Sequence, residues 1–205
     1  MRWVKYKQVI ENFFSLSILN ALNVLLPLVT LPYMLHVVGK ANYGAYSYVY
    51  AVVQYVILFS TYGFNFSATK QISQCRDDKE KVSKIYNAVT ASKTLIALSL
   101  SVLLLLCAKL VFKDGVGTLM FVYGLGMVVG DVLTPIWLFQ GMEKMKYMTI
   151  VNASSKILFT ILIFIVVRAS EDYQLLILLN SCGYLLAGVL SLILVCRQFH
   201  LRLHW

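Results

Sequence analysis

The chain is short of acid: nine aspartates and glutamates stand against 18 lysines and arginines, for a net charge of +9. Its four cysteines, Cys75, Cys107, Cys182 and Cys196, form no C-x-x-C pair and have no histidine at ligand spacing except His200 in the tail. Neither a disulfide framework nor a zinc site is indicated, and small residues inside a helical bundle account for all four. H-E-x-x-H is absent and Asp131 is the one acid inside an apolar stretch, so neither an intramembrane metalloprotease nor a paired-carboxylate protease can be assembled. Strict alternation is missing too. Runs such as Ser99 to Cys107 and Leu175 to Leu179 exclude lipid-facing β-strands. With no linker and no low-complexity segment, nothing divides the chain or leaves room for a soluble domain.

What is present is apolar sequence, in six long stretches: Asn12 to Val38, Gly44 to Phe66, Ile85 to Val111, Thr118 to Phe139, Met148 to Val167 and Leu175 to Cys196. Each reaches the roughly 20 residues that cross about 30 Å of hydrocarbon as a helix. The expected fold is an all-α integral membrane bundle of six transmembrane helices in one domain, residues 1–205. The first stretch is too long for a signal-peptide core and no small-residue cleavage site follows, so it reads as a retained helix.

Basic residues fall in every second connection. Arg2, Lys5 and Lys7 precede the first span, Lys70, Arg76, Lys79, Lys81 and Lys84 follow the second, Lys144 and Lys146 the fourth, and Arg197 and Arg202 the sixth. Only Lys40, Lys109, Lys113 and Arg168 face the other side, and the remaining two of the 18, Lys93 and Lys156, lie inside spans. The positive-inside rule puts both termini in the cytoplasm. Charge in short loops beside spans orients a protein and meets anionic lipid, which makes nucleic acid an unsuitable partner. The short outer connections near Lys40, Asp114 and Glu171 require antiparallel neighbours. Ser67 to Lys84, the longest connection and mixed in charge, is expected to be a solvated extension of the third helix.

Polar residues recur at helical spacing within the spans: Ser17, Asn20, Asn23 and Thr30, with Pro27 on the same face, in the first, Ser47, Tyr50, Gln54, Thr61 and Asn65 in the second, Thr149, Asn152, Lys156 and Thr160 in the fifth, and Asn180, Tyr184 and Ser191 in the sixth. Such stripes turn away from lipid. They serve either as interhelical hydrogen bonding or as the wall of a hydrated pathway, and four stripes in one bundle favour a cavity.

Lys93, Asp131 and Lys156 each lie eight residues from a basic-side span boundary. That is about 12 Å deep at 1.5 Å per residue. A charge at the helix centre costs on the order of 2.5–3.5 kcal/mol, so each needs water or a partner. One arrangement pairs Asp131 with Lys156 on sequential antiparallel helices and lets Lys93 snorkel; the other makes the layer a hydrated cationic site for an anionic cargo. Pro27, Pro32 and Pro135 each remove a helical donor and favour a kink. His36, alone among apolar residues near the outer end of the first span, suits an interfacial hydrogen bond better than a pH sensor.

Leu31-Pro32-Tyr33, Gly39, Tyr43 and Gly44, then Tyr62-Gly63-Phe64-Asn65 with Ser67-Ala68-Thr69-Lys70, resemble the first two helices of bacterial polysaccharide flippases. These are the Wzx-like O-antigen and capsule repeat-unit transporters of the multidrug/oligosaccharidyl-lipid/polysaccharide superfamily. The run Trp137-Leu138-Phe139-Gln140-Gly141-Met142-Glu143-Lys144-Met145-Lys146-Tyr147 is similar to that family's W-x-F-Q-G-x-E-x-x-x-Y pattern, and the resemblance spans all six helices. His36 replaces a usual arginine and Thr61 a frequent acid, which leaves the roles of those two family positions open.

The resemblance implies a protein of the bacterial inner membrane that moves undecaprenyl-pyrophosphate-linked oligosaccharide to the outer leaflet. It also implies a two-lobed MATE-like architecture rocking around a central cationic cavity, of which this chain is one lobe, its N-terminal half. The implied partners are membrane lipid, the lipid-linked oligosaccharide, a second lobe or second copy, and polymerase and glycosyltransferase machinery. Substrate contacts are expected from Lys93, Lys156, Asn20, Asn23, Gln54, Asn65 and Asn152. Asp131 is expected to couple to a proton or sodium gradient, with no cofactor, metal or catalytic residue. Two alternatives stay open: a non-transporting or decayed half-transporter, and a drug/cation antiporter of the same superfamily, which would need more intramembrane acid than Asp131 alone.

Overall fold

All six apolar stretches are helical, and two of them are broken. The computed structural model describes residues 2–112 and 115–199, with no strand among them. The helices are α1 (Arg2–Val37), α2 (Gly39–Thr61), α3 (Phe64–Gln74), α4 (Lys79–Val111), α5 (Val116–Val132), α6 (Ile136–Gly141), α7 (Met145–Val166) and α8 (Tyr173–Leu194). A 3₁₀ turn, Ser170–Asp172, precedes α8, and a π turn, Val195–Phe199, follows it. Six continuous or bent segments are long and apolar enough to cross a membrane: Phe13–Val37, Gly39–Gln74, Lys79–Val111, Gly117–Gly141, Met145–Val166 and Ser170–Phe199. Lys113, Asp114, His200 and Arg202 lie outside the described residues.

The breaks have local causes. Tyr62 (φ 36°) and Gly63 (φ 75°) are consecutive left-handed residues, so the second span stops at Thr61 and restarts at Phe64 in a new direction. α3 then carries that span on to Gln74. The connection expected to extend the third helix is therefore divided: α3 takes its first part, to Gln74, and a four-residue turn leads to α4, which starts at Lys79 and takes the rest. Asp78 caps α4 by accepting a 3.1 Å hydrogen bond from the Lys81 amide, and that bond holds its carboxyl below the usual range. A depressed pKa means the cap is intact above the unfolded value and is lost as pH falls through the folded one. Of the three prolines only Pro135 breaks its helix; α1 runs unbroken through Pro27 and Pro32.

α5 is the axis of the bundle. It makes its most extensive contact with α8 and also packs on α2 and α4. Small residues permit this approach: a Cβ at Gly126 would lie 2.9 Å from that of Ser181, one at Gly188 would lie 2.9 Å from the Gly130 carbonyl, and one at Gly130 would overlap the Tyr184 peptide. Around this axis the buried side chains form two clusters. One joins α2, α5 and α8 through Val53, Met127 and Ile177. The other, at the end bearing the basic connections, gathers Ile72, Tyr86, Trp137, Phe139, Met145, Met148 and Phe199 from α3, α4, α6, α7 and the π turn.

α1 stands apart. Most of its apolar side chains, including Val24, Leu25, Leu28 and Val29, are exposed, because α1 meets the bundle along one side, chiefly through α7.

Gly130→Val should therefore destabilise the purified protein by more than the ~1–3 kcal/mol usual for overpacking, since backbone rather than a flexible side chain must yield. Gly44→Ala, which meets nothing within 4 Å, should be neutral or slightly stabilising. Thermal melting in detergent compares the two; equal melting temperatures would remove the close α5–α8 approach from the account.

Candidate functional site

A proline without a donor sets up the site. In an unbroken helix the amide of residue 135 would bond the carbonyl of Asp131; Pro135 has no such amide. That carbonyl instead accepts from the Thr134 amide at 3.2 Å and from the Lys93 ammonium at 3.0 Å. The preceding carbonyl, Gly130, accepts from the Thr134 hydroxyl at 2.7 Å. Lys93 also forms an ion pair with the Asp131 carboxylate, Nζ to Oδ2 2.8 Å, with its side chain only 5% exposed and that of Asp131 19%. One ammonium thus caps the C-terminal end of α5, where a cation is favoured, and neutralises the acid beside it.

The break opens a cavity of about 400 Å³ between α1, α2, α7, α8 and the α5–α6 corner. Asp131 and Thr134 reach it from the corner, Asn23, Pro27 and Thr30 from α1, Asn152, Ser155, Lys156 and Thr160 from α7, and Asn180 and Tyr184 from α8. α2 contributes Tyr43, Tyr46, Ser47 and Tyr50, with ring centroids 5.7 Å apart for Tyr43–Tyr46 and 5.8 Å for Tyr46–Tyr50. Asn180 Nδ2 donates to the Tyr46 hydroxyl at 3.2 Å and to the Leu176 carbonyl at 2.8 Å. Lys156 donates to Asn23 Oδ1, tying α7 to α1 across the opening. No carboxylate pairs with it among the described residues.

The residues expected to act together separate into two groups. Lys156, Asn23, Asn152 and Asp131 do line one cavity. Lys93 is buried behind Asp131 and is not part of the wall; it neither snorkels nor leaves Asp131 to Lys156. The expected Asp131–Lys156 pair is corrected to Asp131–Lys93, because α4 packs directly on α5 and carries Lys93 to the carbonyl that Pro135 frees. Gln54 lies outside the wall and donates to the Tyr184 hydroxyl at 3.2 Å, while Asn20 and Asn65 do not line the cavity. Thr149 is buried and donates to the Ser15 carbonyl at 3.0 Å, a bond between helices. His36 is exposed, and Thr61 bonds back to the Ile57 carbonyl at 2.9 Å. The aromatic wall was not anticipated. Its signal is Tyr43, Tyr46 and Tyr50 at spacings of three and four on one helix face.

The chain matches the family described as polysaccharide biosynthesis protein over residues 9–205. The chain belongs to that family. It is 33% identical over 188 residues to a protein named "Putative O-antigen transporter" from Escherichia coli (strain K12), covering 92% of this chain and 45% of the relative. A protein of the same name from Shigella dysenteriae is 28% identical over 189 residues, covering 92% and 47%. The chain thus spans about half the length of these curated relatives. No solved structure matches it significantly.

Apart from Tyr43, which lines the cavity, the residues that carried the family resemblance sit largely at joints. Tyr62 and Gly63 make the α2–α3 break. Tyr33 pins α1 to the end of α7, its hydroxyl donating to the Val167 carbonyl at 2.7 Å. Trp137, Leu138 and Phe139 are at most 2% exposed, and the Trp137 carbonyl accepts from Thr69 at 3.2 Å. A Cβ at Gly141 would lie 2.7 Å from Ile72, so α6 and α3 need that glycine to meet. Glu143 (φ 55°) turns the chain into α7 and pairs with Arg76 at 2.6 Å.

Breaking the buried pair should expose its role. Lys93→Met or Asp131→Asn alone should cost about 3–5 kcal/mol, because each leaves a buried partner without its counter-charge. The double variant should recover most of that loss, whereas Asp131→Asn with Lys156→Met should not. Thermal stability of the four purified variants is the readout. Rescue by the Lys156 change in place of the Lys93 change would reverse the assignment.

Proposed function

We propose that this chain forms one lobe, the N-terminal half, of a membrane transporter that flips lipid-linked oligosaccharide repeat units for O-antigen, capsule or exopolysaccharide synthesis. Membership of the polysaccharide biosynthesis family and the transporter names of both relatives favour transport over catalysis. The observation that carries the reading is the cavity cation. Lys156 faces a partly polar, aromatic-walled space with neutral Asn23 as its partner among the described residues, while the other intramembrane cation is already neutralised by Asp131. Such a wall attracts an anion and offers hydroxyl and amide groups to sugars. Asn23, Asn152 and Asn180 are the amides in place to do so. The cargo is read as undecaprenyl-pyrophosphate-linked, with the pyrophosphate drawn to Lys156.

In this reading the basic connections are cytoplasmic, the protein lies in the bacterial inner membrane, and a second lobe or second copy covers the exposed face of α1. Alternating access follows from one lobe rocking against the other around a midplane site. Asp131 couples transport to a proton or sodium gradient by changing how firmly it holds Lys93, without a cofactor. A drug/cation antiporter is less well supported, since the cavity's one acid is already paired.

Lys156→Gln in the complete transporter should abolish complementation of surface polysaccharide in a flippase-null strain at normal protein level. Lys156→Arg should retain part of it, because charge survives with altered geometry. Full complementation by the Gln variant would overturn the cationic-site reading.

A further inference from the structure

A second concave site lies outside the cavity, where the α3–α4 turn, the α6–α7 turn and the C-terminal π turn converge. It encloses about 280 Å³. Arg76, Lys79 and Lys144 line it against one lining acid, Asp77. Its apolar floor is Val82, Met142 and Phe199.

The cations are only partly spent. Arg76 uses Nη2 on Glu143 at 2.6 Å, yet its Nε is buried and has no hydrogen-bond partner. A buried guanidinium donor left without an acceptor is costly, and it marks a position that an oxygen would fill. Lys144 spends its ammonium on neutral groups, Gln198 Oε1 at 3.3 Å and the Phe199 ring at 4.9 Å. Lys79 is the first residue of α4, whose N-terminus is already capped by the Asp78 carboxylate, so Lys79 contributes its ammonium alone. Neither Lys79 nor Lys144 has a carboxylate partner among the described residues. An unpartnered arginine donor and two ammonium groups without a carboxylate partner, over an apolar floor, match a tetrahedral phosphate with a nonpolar attachment.

We propose that this pocket binds a phosphate-bearing anion, and that the ligand locks the three converging turns together. The site lies at the end of the bundle with the basic connections, away from the midplane cavity, and does not depend on what the cavity carries. A phosphodiester lipid headgroup and free phosphate share this chemistry.

The test measures melting of the full chain in detergent against phosphatidylglycerol, phosphatidylcholine and inorganic phosphate. Wild type is compared with K79Q/K144Q and with the control K70Q/K146Q, which removes the same charge from positions outside the pocket. Arg76 is left intact because it also holds Glu143. The expected result is a rise in melting temperature that the control keeps and K79Q/K144Q loses. If phosphatidylglycerol but not phosphate produces it, the ligand is a lipid headgroup; if phosphate alone suffices, the ligand is soluble. Equal shifts in all three proteins, or none in any, would overturn the proposal.

Discussion

The structure depends on how the fourth span survives Pro135. A transmembrane helix cannot leave carbonyls unpaired in hydrocarbon, where each costs several kcal/mol. Here the freed carbonyl of Asp131 is met by Lys93 from α4. That answer brings a charge, and the charge needs the Asp131 carboxylate. The three features form one unit: a break, a cation that caps it, and an acid that balances the cation. The turn it makes aims α6 into the α3 cluster and opens the cavity at the corner. If Pro135 were an ordinary helix former, Lys93 would have no carbonyl to cap, and α5 and α6 could run straight through the space that now holds Thr134 and Asp131.

Much of this was legible in the sequence, and the remainder fails for definable reasons. Length and hydropathy give six spans, because crossing a bilayer constrains composition strongly. The breaks at Tyr62–Gly63 and at Pro135 fall inside apolar runs, where hydropathy carries no signal of direction. Proximity was legible too: Lys93 meets Asp131, and Asp131 shares a cavity with Lys156. Depth does not say which face a residue takes, however, and both lysines lie on helices adjacent in sequence to that of Asp131. Only the packing of α4 on α5 selects Lys93. Asn20 and Gln54 belong to polar stripes, yet a stripe is wider than a cavity wall. Tyr50 stands in a polar stripe and Tyr43 in a family motif, but only the structure shows their rings in a row with that of Tyr46.

The residues that mark the family and the residues that line the cavity are largely different sets. Trp137, Phe139, Gly141 and Glu143 hold α6 against α3, α4 and the start of α7. A joint tolerates few substitutions, since a buried tryptophan or a glycine at backbone contact has no volume-conserving replacement. A wall that solvates cargo tolerates many. Under the proposed function, this division lets a short segment identify the fold while saying little about the cargo, because the segment lies at the joints and Lys156 lies in the wall.

α1 is the helix whose attachment the cavity can alter. It is tied to α7 at three heights: Thr149 to the Ser15 carbonyl, Lys156 to Asn23, and Tyr33 to the Val167 carbonyl. The contacts run in the same order along both helices, so α1 and α7 lie parallel and the ties divide the span into two lengths of about 12 and 15 Å. The outer two ties end on backbone carbonyls at the edges of the bundle and involve no ionised group. The middle one alone uses a charged side chain that faces the cavity. Under the proposed function an anion entering the cavity competes with Asn23 for the same ammonium. An anion adds Coulombic attraction to the hydrogen bond, which the neutral Asn23 amide cannot, so the anion wins that contest. Lys156 would then be turned from a strut between two helices into a ligand for the cargo. α1 would stay anchored at both ends and be released in the middle, at the level of Pro27, where its helical hydrogen bonding is already one donor short.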